Sequence, residues 1–404
     1  MSKAASTTAS IQPVAATPFP HWPHFGDDER RAVDSVLASG KVNYWTGTEG
    51  REFEREYAAA TRTRHGIALT NGTVSLELAL VVRGIGPGDE VITTPRTFMA
   101  SASCTVLRGA VPVFADVDRD SQNITAQTIE RVLTPRTRAI IPVHLAGWPC
   151  EMDEIMELAR SRGITVIEDC AQAHGAAYKG RPVGGIGDFG SFSFCQDKII
   201  TTGGEGGMLL TSDEDAWSRA WAYKDHGKSF DAVYKREHGP GFRWLHESFG
   251  TNWRLTEMQS AIGRIQLRKL DGWIARRRAH AARLRDALKD LRGLRVPLPP
   301  DHIHHSYYKF YAFLEPGRLR SGWTRERIVA EIAASGVPCF SGSCSEVYLE
   351  KAFDGHVSRP RERLRVAREL GETSLMFLVH PTLEIAHIDR TAEAARNVLQ
   401  QALT

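Results

Sequence analysis

Lys198 stands between two apolar stretches of strand length, 191–194 and 208–211. A glycine-rich turn, Gly203-Gly-Glu-Gly-Gly207, separates it from the second stretch. A lone lysine so enclosed, with Ser193 close by, fits an amine held against a flat, anionic cofactor better than a solvent-facing charge. Asp169 follows another apolar run, 164–167. At the C-terminal end of a strand its carboxylate would pair with a buried cation; a helix N-cap is the alternative role. Asn71-Gly72-Thr73 lies between a strand-like run and a helix-like one. Free backbone N–H groups at such a helix start make an anion site, although ordinary strand-to-helix turns share this composition. Phe98 offers a ring face for stacking, although a lone Phe more often packs into a core.

An amine for a Schiff base, a carboxylate for a pyridine nitrogen, a phosphate cradle and a stacking ring together describe pyridoxal 5′-phosphate. The carboxylate keeps the ring nitrogen protonated, and the ring then serves as an electron sink. A nicotinamide cofactor fits less well. No strand-like run leads into G-x-G-x-x-G, and Gly84-Ile-Gly-Pro-Gly88 follows the end of a helix, the wrong place for a pyrophosphate. His144, His174 and His305 are too dispersed in sequence to suggest a metal site.

The elements that must position these residues alternate. Strands are expected over 67–70, 90–94, 111–115, 139–143, 164–167, 191–194 and 208–211. Helices are expected over 27–39, 51–61, 71–83, 152–162 and 213–223, with another through Ser103 and Leu107. This is the pattern of an α/β domain with a mostly parallel sheet, whose ligand sits beyond the C-terminal strand ends. Residues 225–250 read as a long loop and 255–291 as a long helix. Beyond it a strand over 307–314 and helices over 325–335, 361–370 and 388–402 make a smaller α+β region. The expected division is a flexible tail over 1–20, a large domain over 21–270 and a small domain over 271–404.

Composition excludes several classes. With 42% hydrophobic and 25% charged residues the chain reads as a soluble globular enzyme. A net charge of +3 is too small to indicate a nucleic-acid or membrane partner. The basic run over 276–295 is interleaved with Ala, Leu, Asp286 and Asp290, as on the solvated face of an amphipathic helix. The six cysteines form no CxxC pair and suggest reduced thiols. The Ala/Ser/Thr/Pro-rich start lacks the apolar core of a secretory signal, and no run of 18 apolar residues occurs. A cytoplasmic protein is expected.

Glu168-Asp-Cys-Ala-Gln-Ala-His-Gly-Ala176, Gly187 through Lys198, and Gly204-Glu-Gly-Gly207 resemble the DegT/DnrJ/EryC1/StrS sugar aminotransferases. So do Asn71-Gly-Thr73, Thr97-Phe98, Pro142-Val-His-Leu145 and Asn252-Trp-Arg-Leu-Thr-Glu-Met-Gln259, in consistent order from about residue 20 onward. The resemblance implies a fold-type I architecture, with a mixed, mostly parallel sheet in the large domain, and a homodimer with shared active sites. It implies Lys198 as the Schiff-base lysine and Asp169 as partner of the pyridine nitrogen. Gln172 would lie near the phenolic oxygen and Phe98 on the ring face. Gly72, Thr73 and Ser193 would bind the phosphate, joined by Asn252 of the partner subunit. The implied reaction moves an amino group from L-glutamate to a keto-sugar, most simply a nucleotide-linked one, in surface-polysaccharide or natural-product sugar synthesis. A keto-cyclitol of the inosose type is an alternative acceptor. A sugar dehydratase on the same scaffold would replace the lysine with histidine, so Lys198 argues against it. Cys195-Gln-Asp197, Gly250-Thr-Asn-Trp-Arg-Leu255 and Ser341-Gly-Ser-Cys344 depart from the commoner family patterns, and these stretches are expected near the substrate.

Overall fold

The computed structural model describes residues 18–404. Seven strands form one sheet: β1 (His65–Leu69), β2 (Glu90–Thr93), β3 (Val111–Phe114), β4 (Thr137–Ile141), β5 (Thr165–Asp169), β6 (Phe189–Ser193) and β7 (Gly207–Thr211). Their order is β1-β7-β6-β5-β4-β2-β3. The run from β6 to β3 is parallel, and β7 runs antiparallel to both of its neighbours. The sheet is mixed and mostly parallel, as the alternation predicts.

Alternating side chains divide the packing between the two faces. Ile67, Leu69 and Leu209 share a core with the helices Gly72–Val82 and Glu214–Lys224. Ala68, Met208 and Leu210 turn the other way, onto Phe53, Tyr57, Leu270 and Ile274. With both faces covered, every residue of β2, β6 and β7 is buried, so these strands read in sequence as short, largely apolar runs.

The helix Glu257–Leu288 joins the two halves of the chain. It opens on a capping box between Thr256 and Gln259. Its Leu270 and Ile274 pack beneath the large sheet, whereas Ala281, Leu284 and Leu288 belong to the second core. We propose to divide the chain within this helix. The second core underlies a four-stranded antiparallel sheet of β8 (Leu294–Arg295), β9 (Phe310–Leu314), β10 (Cys339–Phe340) and β11 (Ser374–Phe377), in the order β8-β9-β11-β10. Arg325–Ala334 and Ile385–Ala402 are the other helices packed on it.

Several expectations shift in detail, among them the helix expected over 361–370, which spans Arg365–Thr373. The strand expected from residue 307 begins at Phe310, because Tyr307 adopts a left-handed backbone (φ 48°) that an extended strand does not accommodate. Tyr308 and Lys309 are thereby left ahead of the ladder. The loop expected over 225–250 contains a short helix, Phe230–Tyr234, capped by the Ser229 hydroxyl.

Of the expected tail, residues 1–17 lie outside the described residues, and residues 18–20 begin a packed segment. His387 Nδ1 accepts the Glu384 N–H, so its Nε2–H donates, to the Pro18 carbonyl at 3.1 Å. Thr382 donates to the His21 carbonyl at 3.1 Å. Trp22 lies edge-on to Trp273, with centroids 5.1 Å apart, and stacks near His380 at 6.1 Å. Its indole N–H donates to the carbonyl of Lys198 at 2.8 Å. Among the described residues no helix is long and apolar enough to cross a membrane.

Candidate active site

A cleft of about 1010 Å³ opens where the parallel strands end. Gly72, Thr73, Phe98, Asp169, Gln172, Ser193 and Lys198 all line it. Asn252 does not line it. It is exposed beside Trp253, whose carbonyl accepts the Thr70 N–H at 3.0 Å.

One end of the cleft is shaped for an anion. Asn71 Oδ1 caps the helix Gly72–Val82 by accepting the Val74 N–H at 3.0 Å. The N–H groups of Gly72 and Thr73 then have no partner inside the helix. A Cβ on Gly72 would stand 2.6 Å from Ser193 Cβ and 3.1 Å from its Cα, so glycine is what lets the helix terminus approach the Ser193 hydroxyl. Ser193 is fixed from behind by His174. Burial lowers the His174 pKa to about 3, so the ring is neutral, with one donor and one acceptor. Nδ1 takes the Tyr57 hydroxyl at 2.7 Å and Nε2–H donates to the Ser193 carbonyl at 2.9 Å. Gly72→Ala is expected to weaken cofactor retention by one to two orders of magnitude, since overpacking costs about 1–3 kcal/mol. Titration of the cofactor-free protein with pyridoxal phosphate, followed by absorbance, checks this.

Asp169 is the last residue of β5 and no helix follows it, which removes the N-cap alternative. Its Oδ2 accepts from Ser101 Oγ at 2.7 Å, and Ser101 Oγ is also 2.9 Å from Thr97 Oγ1. Its Oδ1 accepts the Ala171 N–H at 3.1 Å. Burial raises the Asp169 pKa, and the bonds from Ser101 and Ala171 and the charge of Lys198 offset this only in part. A buried carboxylate in this condition is relieved by a cationic ring nitrogen. Neighbouring Glu168 has a different part. It accepts the N–H groups of Gly184, Ile186 and Gly187 at 2.9, 2.8 and 2.7 Å, and His144 Nε2–H at 3.0 Å. His144 Nδ1 accepts the Cys150 N–H at 3.0 Å. Glu168 and His144 thus build the turn behind the cleft.

Gln172 Oε1 accepts the Ala146 N–H at 2.8 Å, which leaves the Nε2 donors for the cleft. Phe98 is 69% exposed at the cleft wall and is no core residue. The Lys198 side chain is 15% exposed, with Nζ 3.8 Å from Asp197 Oδ1 and 5.3 Å from the centre of the Tyr308 ring. Burial works against the charge of Asp197, yet Lys198 and the hydrogen bond donated by the Tyr308 hydroxyl hold its pKa below the usual range. Two of the three divergent stretches reach the cleft: Cys195 and Asp197 line it, as do Gly342, Ser343 and Cys344, whereas no residue of 250–255 of the same chain does. Ser101, Tyr308 and Lys309 escape a sequence reading. Only the helical spacing of Ser101 from Thr97 gives a faint signal.

A buried carboxylate, an anion cradle that a Cβ would fill and an amine between them fit pyridoxal phosphate. Fold and cleft together define the class, a pyridoxal-phosphate enzyme of fold type I. The chain belongs to the DegT/DnrJ/EryC1/StrS aminotransferase family, whose model matches residues 23–396. It is 36% identical to GDP-perosamine synthase of Caulobacter vibrioides over 88% of this chain and 92% of that protein. It is 34% identical to dTDP-3-amino-3,4,6-trideoxy-alpha-D-glucose transaminase of Streptomyces venezuelae, over 90% of each. The crystal structure of an aminotransferase from Psychrobacter cryohalolentis matches with a TM-score of 0.94 and 56% identity, over 95% of this chain and 99% of that one.

Proposed function

We propose that the enzyme transfers an amino group from L-glutamate to a nucleotide-linked keto-sugar. The observation that supports this most directly is the convergence of Lys198, Asp169 and the Gly72–Ser193 cradle in one cleft. The relatives that act on GDP- and dTDP-linked sugars favour a nucleotide-linked acceptor. Pyridoxal phosphate, when bound, supplies a carbonyl for the amine and a ring that accepts the electron pair left by the departing proton. Gly72, Thr73 and Ser193 would hold the phosphate, Asp169 the ring nitrogen, Gln172 the phenolic oxygen, and Phe98 the ring face. Lys198 Nζ would hold the cofactor and, once displaced by the donor's amine, would be the free base that takes the proton from the carbon bearing the amino group. Asp197 stands close enough to orient that amine.

Two copies sharing each site fit Asn252, which is exposed and outside its own chain's cleft. They also fit the loop before it, where Phe242, Trp244 and Phe249 are 78%, 81% and 100% exposed. Asn252 of the partner subunit would then complete the phosphate site. Sugar nucleotides and L-glutamate meet in the cytoplasm, where we place the reaction.

The test is a pair of half-reactions. L-glutamate should convert the bound cofactor to its amine form. A panel of nucleotide-linked keto-sugars should return it to the aldehyde form for at least one member. Return only with a free inosose would make the enzyme a cyclitol aminotransferase. No spectral change with any amino donor would reject transamination.

A further inference from the structure

Among the described residues, Lys198 and Lys309 are the two cationic side chains that line the cleft, alongside the carboxylates Glu77, Asp169, Asp197, Glu205 and Glu350. The cofactor takes Lys198. What remains to meet a substrate anion is Lys309.

Lys309 is built differently from the other cations nearby. Arg96 is buried against Gln122 and Ser374, and Arg277 is buried against the carbonyls of Tyr307 and Tyr308. Neither lines the cleft. Asp197 is engaged by Lys198 and the Tyr308 hydroxyl. The Lys309 ammonium has no hydrogen-bond or carboxylate partner among the described residues, and rests 4.7 Å from the centre of the Tyr308 ring. Lys198 Nζ lies 5.3 Å from the same centre, so both amines rest against the Tyr308 ring in one cleft. An ammonium drawn out of water without a direct partner is costly, and an arriving anion relieves that cost.

We infer that Lys309 is the specificity residue for a carboxylate attached at or near the reacting carbon of the substrate. The inference rests on the transamination reading given above. An amino-acid donor carries such a group on the reacting carbon itself, and an acidic keto-sugar carries one on its ring. A single ammonium suits a cleft that must accept two substrates in turn. It gives a carboxylate a point charge without the rigid two-pronged fork of arginine, so the same space can accept a hydroxylated ring. Burial lowers its pKa to about 8, opposed by Asp197 and reinforced by Arg277 and Lys198. It is therefore mostly charged at neutral pH.

The test uses holoenzyme carrying Lys309→Met, which keeps an unbranched stem, and Lys309→Arg, which keeps the charge. Three titrations are followed by cofactor absorbance. The first uses glutarate, an unreactive dicarboxylate. The second uses L-glutamate with the aldehyde form. The third uses the amine form with a neutral keto-sugar nucleotide and with its carboxylated counterpart. Lys309→Met should raise the half-saturating concentration of the carboxylate-bearing partner by about tenfold or more. Lys309→Arg should recover most of that loss, and the affinity for pyridoxal phosphate should not move. A loss confined to glutarate and L-glutamate assigns the carboxylate to the donor; a loss confined to the carboxylated sugar assigns it to the acceptor. Equal titrations of wild type and Lys309→Met in all arms, or no glutarate binding by either with sugars unaffected, overturn the inference. If wild type returns no keto-sugar, the acceptor assignment fails while the glutarate and glutamate arms still decide the role of Lys309.

Discussion

Lys198→Ala should reduce turnover by about four orders of magnitude, the upper range for a positioned proton carrier. The absorbance band of lysine-bound cofactor should vanish as well. The fold should survive. Lys198 is fixed chiefly through its backbone, by the N–H to the Cys195 carbonyl at 3.0 Å and by Trp22 at 2.8 Å, and alanine keeps both bonds. The side chain's ion partner, Asp197 at 3.8 Å, retains the Tyr308 hydroxyl. A thermal melt close to wild type together with lost turnover separates a chemical role from a structural one. Retained turnover in the variant would sink the assignment of the amine.

The second large effect is expected at Asp169. Asp169→Asn keeps the shape of the side chain and an acceptor for Ser101, but removes the charge proposed to face the ring nitrogen. Loss of one preorganised electrostatic partner costs about 10²–10³-fold in kcat. Stability should move in the opposite direction. The folded-state pKa of Asp169 is raised above its unfolded value, so the folded chain binds that proton more tightly than the unfolded one. The contribution of this group to stability is therefore greatest below the unfolded value of 3.8 and is lost as pH rises through that value and the folded pKa. At pH 7 the cofactor-free wild type carries that cost and Asp169→Asn does not. The cofactor-free variant should melt at or above wild type, and the gain in melting temperature on adding pyridoxal phosphate should shrink. Calorimetry of both forms at pH 7 checks the two signs. A cofactor-free variant that melts well below wild type would show that the carboxylate serves the fold instead.

Much of this site is legible in the sequence because it is built at the ends of strands that advertise themselves. β5 and β6 are buried throughout or nearly so, and their apolar runs stop at Asp169 and just past Ser193. Gly72 sits where an apolar run gives way to a helix. What stays hidden depends on meetings between distant segments. Ser101 reaches Asp169 across 68 residues, and Tyr308 reaches Asp197 across 111. Neither has a local pattern that marks it. Lys309 was masked by a real signal: the apolar run over 307–314 reads as one strand, and only the left-handed turn at Tyr307 sets Tyr308 and Lys309 apart from it. Very short strands such as Cys339–Phe340 have too few residues to show an alternation at all.

The packed segment at residues 18–25 has a bearing on how the enzyme is made. Its bond with Thr382 spans 361 residues, and that with His387 spans 369. As the chain emerges from the ribosome, Trp22 appears long before Trp273 and His380, the rings between which it will lie. Contacts of such separation cannot close until Thr382 and His387 have been made. The indole that donates to the Lys198 carbonyl belongs to that same segment. The backbone of Lys198, the residue proposed to hold the cofactor, is thereby linked through Trp22 to a segment whose own contacts await the far end of the chain.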